Sequence, residues 1–168
     1  MDKLKKWLEV AANVAIVCVC VLIVVVGVKR YILPGPASAF STPSKGTRLS
    51  VPGVDWSRSK RTLVMVLSTQ CHFCSESAEF YKKLLPEATL RGTQIVAVLP
   101  QSPEESRQYL TNLGLPTSNV TIQQEGATGI HVSGTPTLIL ADNKGSVLRA
   151  WAGKLAPSGE TEVLGEIH

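Results

Sequence analysis

Histidine is scarce in this sequence (three residues), cysteine nearly so (four), and the chain beyond its first third carries no excess of positive charge. Each shortage excludes something. Two of the four cysteines, Cys18 and Cys20, lie inside a long apolar run, where small polarizable side chains are ordinary packing. Only Cys71 and Cys74 remain for an aqueous domain. One close pair is too few for a scaffold stapled by disulfides and points to redox or metal chemistry. A closed zinc site wants four ligands, and only His72, His131 and His168 could complete one. The net charge of +4 is unevenly placed: residues 1–61 carry ten Lys and Arg against three Asp and Glu, the remainder seven against ten. That mildly acidic remainder lacks the electrostatic footprint of a nucleic-acid binder. No internal repeat is present.

What is there begins with the apolar run. Residues 10–28 are Val, Ile, Leu, Ala and Cys, interrupted only by Asn13 and Gly27. As a helix this stretch would reach about 28 Å, close to the hydrocarbon thickness of a bilayer. Its Val, Ile and Leu residues favour insertion by roughly 4 to 7 kcal/mol, which one Asn does not cancel. It has no polar face, so a buried helix of a soluble domain is disfavoured. Ala37-Ser38-Ala39 has the small-x-small look of a processing site, but Lys29-Arg30 separates it from an apolar run longer than a usual signal core. The expectation is a short cytoplasmic tail (1–9), an uncleaved transmembrane anchor (10–30) and a main domain outside. The basic flanks, Lys3, Lys5 and Lys6 before and Lys29 and Arg30 after, can meet anionic lipid. Residues 31–53, rich in Pro, Gly, Ser and Thr, read as an extended linker without a core of its own. That leaves residues 54–168 for one compact domain.

This domain alternates strands and helices. Residues 61–68 (RTLVMVLS) and 93–99 (TQIVAVL) are apolar runs of strand length, as expected for strands covered on both faces. From Cys74 to about Leu90 apolar residues recur at helical steps. Ser102-Pro103-Glu104-Glu105 opens a second helix with capping-box spacing and Pro at the first position, and Gly114 and Pro116 mark its end. Residues 120–123 form a short strand and 137–141 (TLILA) a buried one. Asp142-Asn143-Lys144-Gly145 supplies a turn into the hairpin strand 146–152, and a terminal helix starts near Pro157. The order implies an α/β sheet with helices on both faces. Trp56 and Trp151 read as core or hairpin packing, and Glu104-Glu105 as helix-start electrostatics.

Cys71-His72-Phe73-Cys74 falls where a buried strand gives way to a helix. A cysteine must be a thiolate to attack a disulfide, and the unpaired N–H groups of a helix start stabilise that anion. The three-residue step brings the second sulfur close enough to resolve a mixed disulfide. Cys71, at the exposed edge, is therefore the expected nucleophile, and Cys74, one turn inside, the resolving thiol. Phe73 belongs to a protruding docking surface, and the charge of His72 could favour the Cys71 thiolate. About 65 residues on, Val132-Ser133-Gly134-Thr135-Pro136-Thr137 leads into the strand TLILA. A cis Thr135–Pro136 bond facing the cysteines would present the Thr135 backbone to an extended substrate peptide, with no N–H in its way.

Together these segments resemble the thioredoxin superfamily, and within it the membrane-anchored TlpA/ResA-like disulfide reductases. The resemblance covers about residues 48–155: the strand–CxxC–helix unit, the extra α-β element over 102–123, the V-x-G-x-P-T segment and the hairpin LILADNKGSVLRAWAGKL. It implies a thioredoxin fold after a single N-terminal transmembrane helix, on the extracytoplasmic face of a bacterial cell membrane. It further implies thiol–disulfide exchange through Cys71 and Cys74, with Thr135, Pro136, His72 and Phe73 at the substrate groove and no cofactor. The implied partners are extracytoplasmic thiol or disulfide proteins, such as apocytochrome c, and a membrane electron donor; reduction or isomerisation is expected over strong oxidation. Departures from the family pattern are Gln70 where an aromatic is usual, Met65 where thioredoxin has a buried Asp, and Thr137 where one subgroup has Glu.

Two other readings stand beside this one. A copper- or zinc-binding, or partner-binding, module of the same fold would use the two cysteines without turnover, with His131 as the distant copper ligand; copper-delivery relatives space their cysteines one residue further apart. A peroxiredoxin-like peroxidase would want Thr three residues before its cysteine, where Ser68 stands, and a preceding Pro that is missing.

Overall fold

The computed structural model describes residues 41–167 and, nearer the N-terminus, six helical residues: Trp7, Ile16, Val17 and 19–21. The chain divides into two units, Met1–Ala39 and Phe40–His168. Most of the expected tail and anchor, and the linker before Ser41, lie outside the described residues. Among the described residues no helix is long and apolar enough to cross a membrane.

The second unit is built on five strands: β1 (Arg61–Val66), β2 (Gln94–Leu99), β3 (Val120–Gln124), β4 (Thr137–Asp142) and β5 (Val147–Ala152). They line up as β3-β2-β1-β4-β5. β1, β2 and β3 run parallel, while β4 is antiparallel to both β1 and β5. The helices are α1 (His72–Glu76), α2 (Ala78–Leu90), α3 (Pro103–Asn112) and α4 (Pro157–Glu166). The strands follow the apolar runs, and β1, β2 and β4 are buried along nearly their whole length.

Successive strand residues point to opposite faces and so feed two cores. Leu63, Met65, Ile95, Ala97, Leu99, Leu138 and Leu140 meet residues from all four helices, including Cys74, Leu84, Leu110 and Val163. On the other face Val64, Val66, Val96, Val98 and Ile139 are covered by Leu49, Val51 and Ile130, with Trp56 and Val132 at the margin. Helices therefore cover one face, not the two expected. The reason is topological. The connections β1–α2–β2 and β2–α3–β3 step the same way across parallel strands, and the right-handed preference of such crossovers places both helices on one side. The return from β3 to β4 passes beneath the other face as a 3-10 turn (Glu125–Ala127) and irregular chain.

That second face also corrects the linker reading. Leu49 and Val51 are buried, Arg48 bridges to Ser146, and the Gly129 N–H donates to the Ser50 carbonyl at 2.8 Å. Burial of each apolar side chain stabilises by about 1.5–3 kcal/mol, enough to hold this segment on the sheet.

Two local features complete the frame. The expected capping box forms at α3: Ser102 Oγ accepts from the Glu105 N–H at 3.3 Å, and the Ser102 N–H donates to Glu105 Oε2 at 3.2 Å. In the β4–β5 turn Gly145 has φ +76°, and a Cβ there would meet the Trp56 indole at 3.0 Å. Glycine is required twice over, and Trp56 packs under the hairpin as expected. In β5, Leu148 is an extra residue against the Leu140/Ala141 step of β4. This bulge reverses the alternation, so Val147 enters one core and Trp151 the other.

Candidate functional site

The end of β1 delivers the chain to the cysteines. Ser68 makes the turn: its carbonyl accepts from the Cys71 N–H at 3.1 Å, and its Oγ accepts from the Gln70 N–H at 3.3 Å. Cys71 is then the N-cap of α1, with extended backbone, and its Sγ accepts from the Cys74 N–H at 3.3 Å. The helix expected from Cys74 to Leu90 is in fact two. It begins at His72 and breaks at Ser77, whose Oγ donates to the Phe73 carbonyl at 2.8 Å. Such back-bonding by a serine bends a helix. The five-residue α1 thus carries both cysteines as a separate element.

Across from it lies the 132–136 loop. Thr135–Pro136 is cis, and the Cys71 thiol donates to the Thr135 carbonyl at 3.1 Å. Thr137 Oγ1 donates to the Gly134 carbonyl at 2.8 Å, closing the loop from within. The loop is also stitched to the chain that enters the domain: the Ser41 N–H donates to Ser133 Oγ, and the Ser133 N–H to the Ser41 carbonyl at 3.2 Å.

Both thiols are free, and they differ in kind. Cys71 is half-buried; Cys74 has 0% exposure. Partial burial works against ionisation of Cys71. Hydrogen bonds from the Cys74 thiol, from the Thr135 side chain and from the backbone N–H groups of Cys74 and Phe73 outweigh it, so its pKa lies below the ordinary thiol value. Burial above all, then the hydrogen bond to Cys71, pushes Cys74 up to about 12. One sulfur is poised as a thiolate at the surface and the other is kept as a thiol beneath it.

The structure therefore brings Cys71, Cys74, Thr135 and Pro136 together. His72 and Phe73 stand on the outer side of α1, with Phe73 54% exposed and its ring centroid 6.0 Å from that of His72. His72 Nε2 lies 3.1 Å from Glu76 Oε1. Three neighbours had no signal in the sequence. Tyr109 of α3 places its hydroxyl 3.4 Å from Ser75 Oγ, and burial raises its pKa. Glu76 and Lys154 meet at 3.0 Å from opposite ends of the domain sequence. Among the described residues no group of three or more His, Cys, Asp or Glu gathers into a metal-binding set; His168 lies outside them.

No protein-family model matches the sequence, and no curated protein matches it. Solved structures do. A candidate thiol:disulfide interchange protein DsbE from Chlorobium tepidum superposes with TM-score 0.53 at 20% identity, over 77% of this chain and 100% of that one. A second Chlorobium tepidum protein, a thiol:disulfide interchange protein of the thioredoxin family, gives 0.53 at 15% identity over 74% and 97%. The thioredoxin domain of a thiol-disulfide oxidoreductase from Bacteroides vulgatus gives 0.50 at 16% over 75% and 96%. The chain has the thioredoxin fold.

Within that fold the sequence departures acquire places. Met65 is buried in the same core as Cys74 and offers no proton acceptor there. Thr137 is buried, with its hydroxyl satisfied by Gly134, in a spot where a carboxylate would be costly to desolvate. Gln70 is exposed beside Cys71 and its backbone serves the Ser68 turn.

Proposed function

We propose that this chain is a membrane-anchored thiol–disulfide oxidoreductase that reduces or exchanges disulfides of extracytoplasmic proteins through Cys71 and Cys74. The observation that carries the reading is the inequality of the two thiols: an accessible Cys71 with lowered pKa beside a fully buried Cys74 held near 12. The Cys71 thiolate attacks a substrate disulfide, forming a mixed disulfide and releasing one substrate thiolate. Cys74 then attacks Cys71 Sγ, releasing the second substrate thiol and leaving a Cys71–Cys74 disulfide. Two electrons pass to the substrate, and an external dithiol donor must restore them.

Supporting this are the thioredoxin fold, the Thr135 carbonyl 3.1 Å from Cys71 Sγ, and an exposed Phe73 able to meet an apolar partner residue. The apolar run over 10–28 supports a single-pass anchor in a bacterial cell membrane, with the domain on the periplasmic or extracytoplasmic side. Partners of that compartment would be thiol proteins such as apocytochrome c, with a membrane-embedded electron donor. Trapping in intact cells tests the reading. Cys74→Ser should accumulate mixed disulfides on Cys71, and Cys71→Ser should not; the reverse pattern, or no adduct with either, would overturn it.

A further inference from the structure

α1 is only five residues long, and the chain bends at Ser77 between it and α2. Beyond the burial of Cys74, side contacts brace it. One is the 3.4 Å approach of Tyr109 to Ser75; another is the ion pair between Glu76 Oε2 and Lys154 Nζ at 3.0 Å. Lys154 follows Gly153, whose N–H donates to the Pro136 carbonyl at 2.7 Å. Two adjacent residues of the turn after β5 therefore grip both halves of the site: Gly153 the Thr135–Pro136 loop, Lys154 the helix bearing the cysteines. Glu76 in turn meets His72, next to the nucleophile, at 3.1 Å.

We propose that Lys154 is a positioning residue for thiol exchange, acting through Glu76 to hold α1, and with it Cys71 Sγ, beside Thr135. The inference rests on the oxidoreductase reading, but its consequence can be measured without a physiological substrate. Released from this brace, Cys71 Sγ moves away from Thr135 and loses the side-chain hydrogen bond there that favours its thiolate, and its reactivity falls.

The test uses the reduced full chain in detergent and reads two quantities: the alkylation rate of Cys71 by iodoacetamide at pH 7, and the Cys71–Cys74 equilibrium in glutathione buffers. Lys154→Met and Glu76→Ala should each slow alkylation by about two- to fivefold, the scale of an exposed ion pair, and shift the glutathione equilibrium the same way. Lys154→Arg, which keeps the cation, should restore both. An unchanged Lys154→Met, an Arg variant as slow as Met, or opposite effects of the Lys154 and Glu76 variants would each overturn the proposal; the last would mean plain local charge. A wild-type protein that exchanges no disulfide at all would instead sink the oxidoreductase reading while leaving the alkylation result interpretable.

Discussion

Alkylation of the reduced protein should select Cys71 over Cys74 by a margin that can be worked from their pKa values. Only thiolates react. With Cys74 at about 12 and Cys71 below the ordinary 9.0, the ionised fractions differ by at least about a thousandfold at any pH well below 9. The more basic thiolate is the stronger nucleophile, with a Brønsted slope of about 0.4–0.5, and this recovers somewhat over one decade. A preference of about thirty- to sixtyfold survives before the complete burial of Cys74 is counted. Iodoacetamide pulses from pH 5 to 10, followed by peptide mass mapping, would show Cys71 labelled with a midpoint below pH 9 and Cys74 nearly untouched. The same shift fixes the sign of a stability effect. Cys74 has a folded pKa above its unfolded value, so its contribution is fully present below about pH 9 and is lost as pH rises towards 12. Between pH 9 and 10.5 the reduced protein should lose about 1.6 kcal/mol relative to Cys74→Ala. Comparable labelling of the two cysteines, or a Cys71 midpoint at or above pH 9, would mean that the fold does not set the two thiols apart.

The Cys71–Cys74 potential, fitted in glutathione buffers, should lie nearer the thioredoxin mark of about −270 mV than the strong-oxidant mark of about −120 mV; the opposite would identify an oxidase. Phe73, not histidine, precedes the second cysteine. Leu49→Ala should destabilise the domain by about 2–5 kcal/mol, seen as a lower urea midpoint with unchanged slope; a loss under about 1 kcal/mol would mean that the segment merely rests on the sheet. In cells the full chain should resist carbonate extraction and its domain should be open to protease from outside, whereas a soluble form beginning near residue 40 would remove the anchor from the proposal.

Much of the thioredoxin fold was legible because its signals are local. The strands are short apolar runs bounded by turn residues, and the α3 cap is spelled out by Ser102, Pro103 and Glu105. The sulfur pair and the Thr135–Pro136 loop were legible as motifs, though 64 residues separate Cys71 from the carbonyl it meets. What escaped depends on distance or topology. The choice of one face for α2 and α3 follows from strand order, which no segment encodes alone. Leu49 and Val51 are two apolar residues, spaced as on a strand, in a stretch whose Pro, Gly and Ser content reads as linker. The Ser77 break turns on one hydroxyl folding back onto its own helix, and Glu76 meets a lysine 78 residues away.

The pairing of Ser41 with Ser133 has a practical corollary for anyone building probes on this protein. Through that pairing Ser41 lies against Ser133, two residues from the carbonyl that faces the nucleophilic sulfur. The other terminus is docked elsewhere: the Ile167 carbonyl accepts from Thr93 Oγ1, at the start of β2, the end of the sheet away from Cys71. A fluorescent protein or affinity handle fused just ahead of residue 41 would crowd incoming partners. The same cargo attached after Ile167 would leave their approach open.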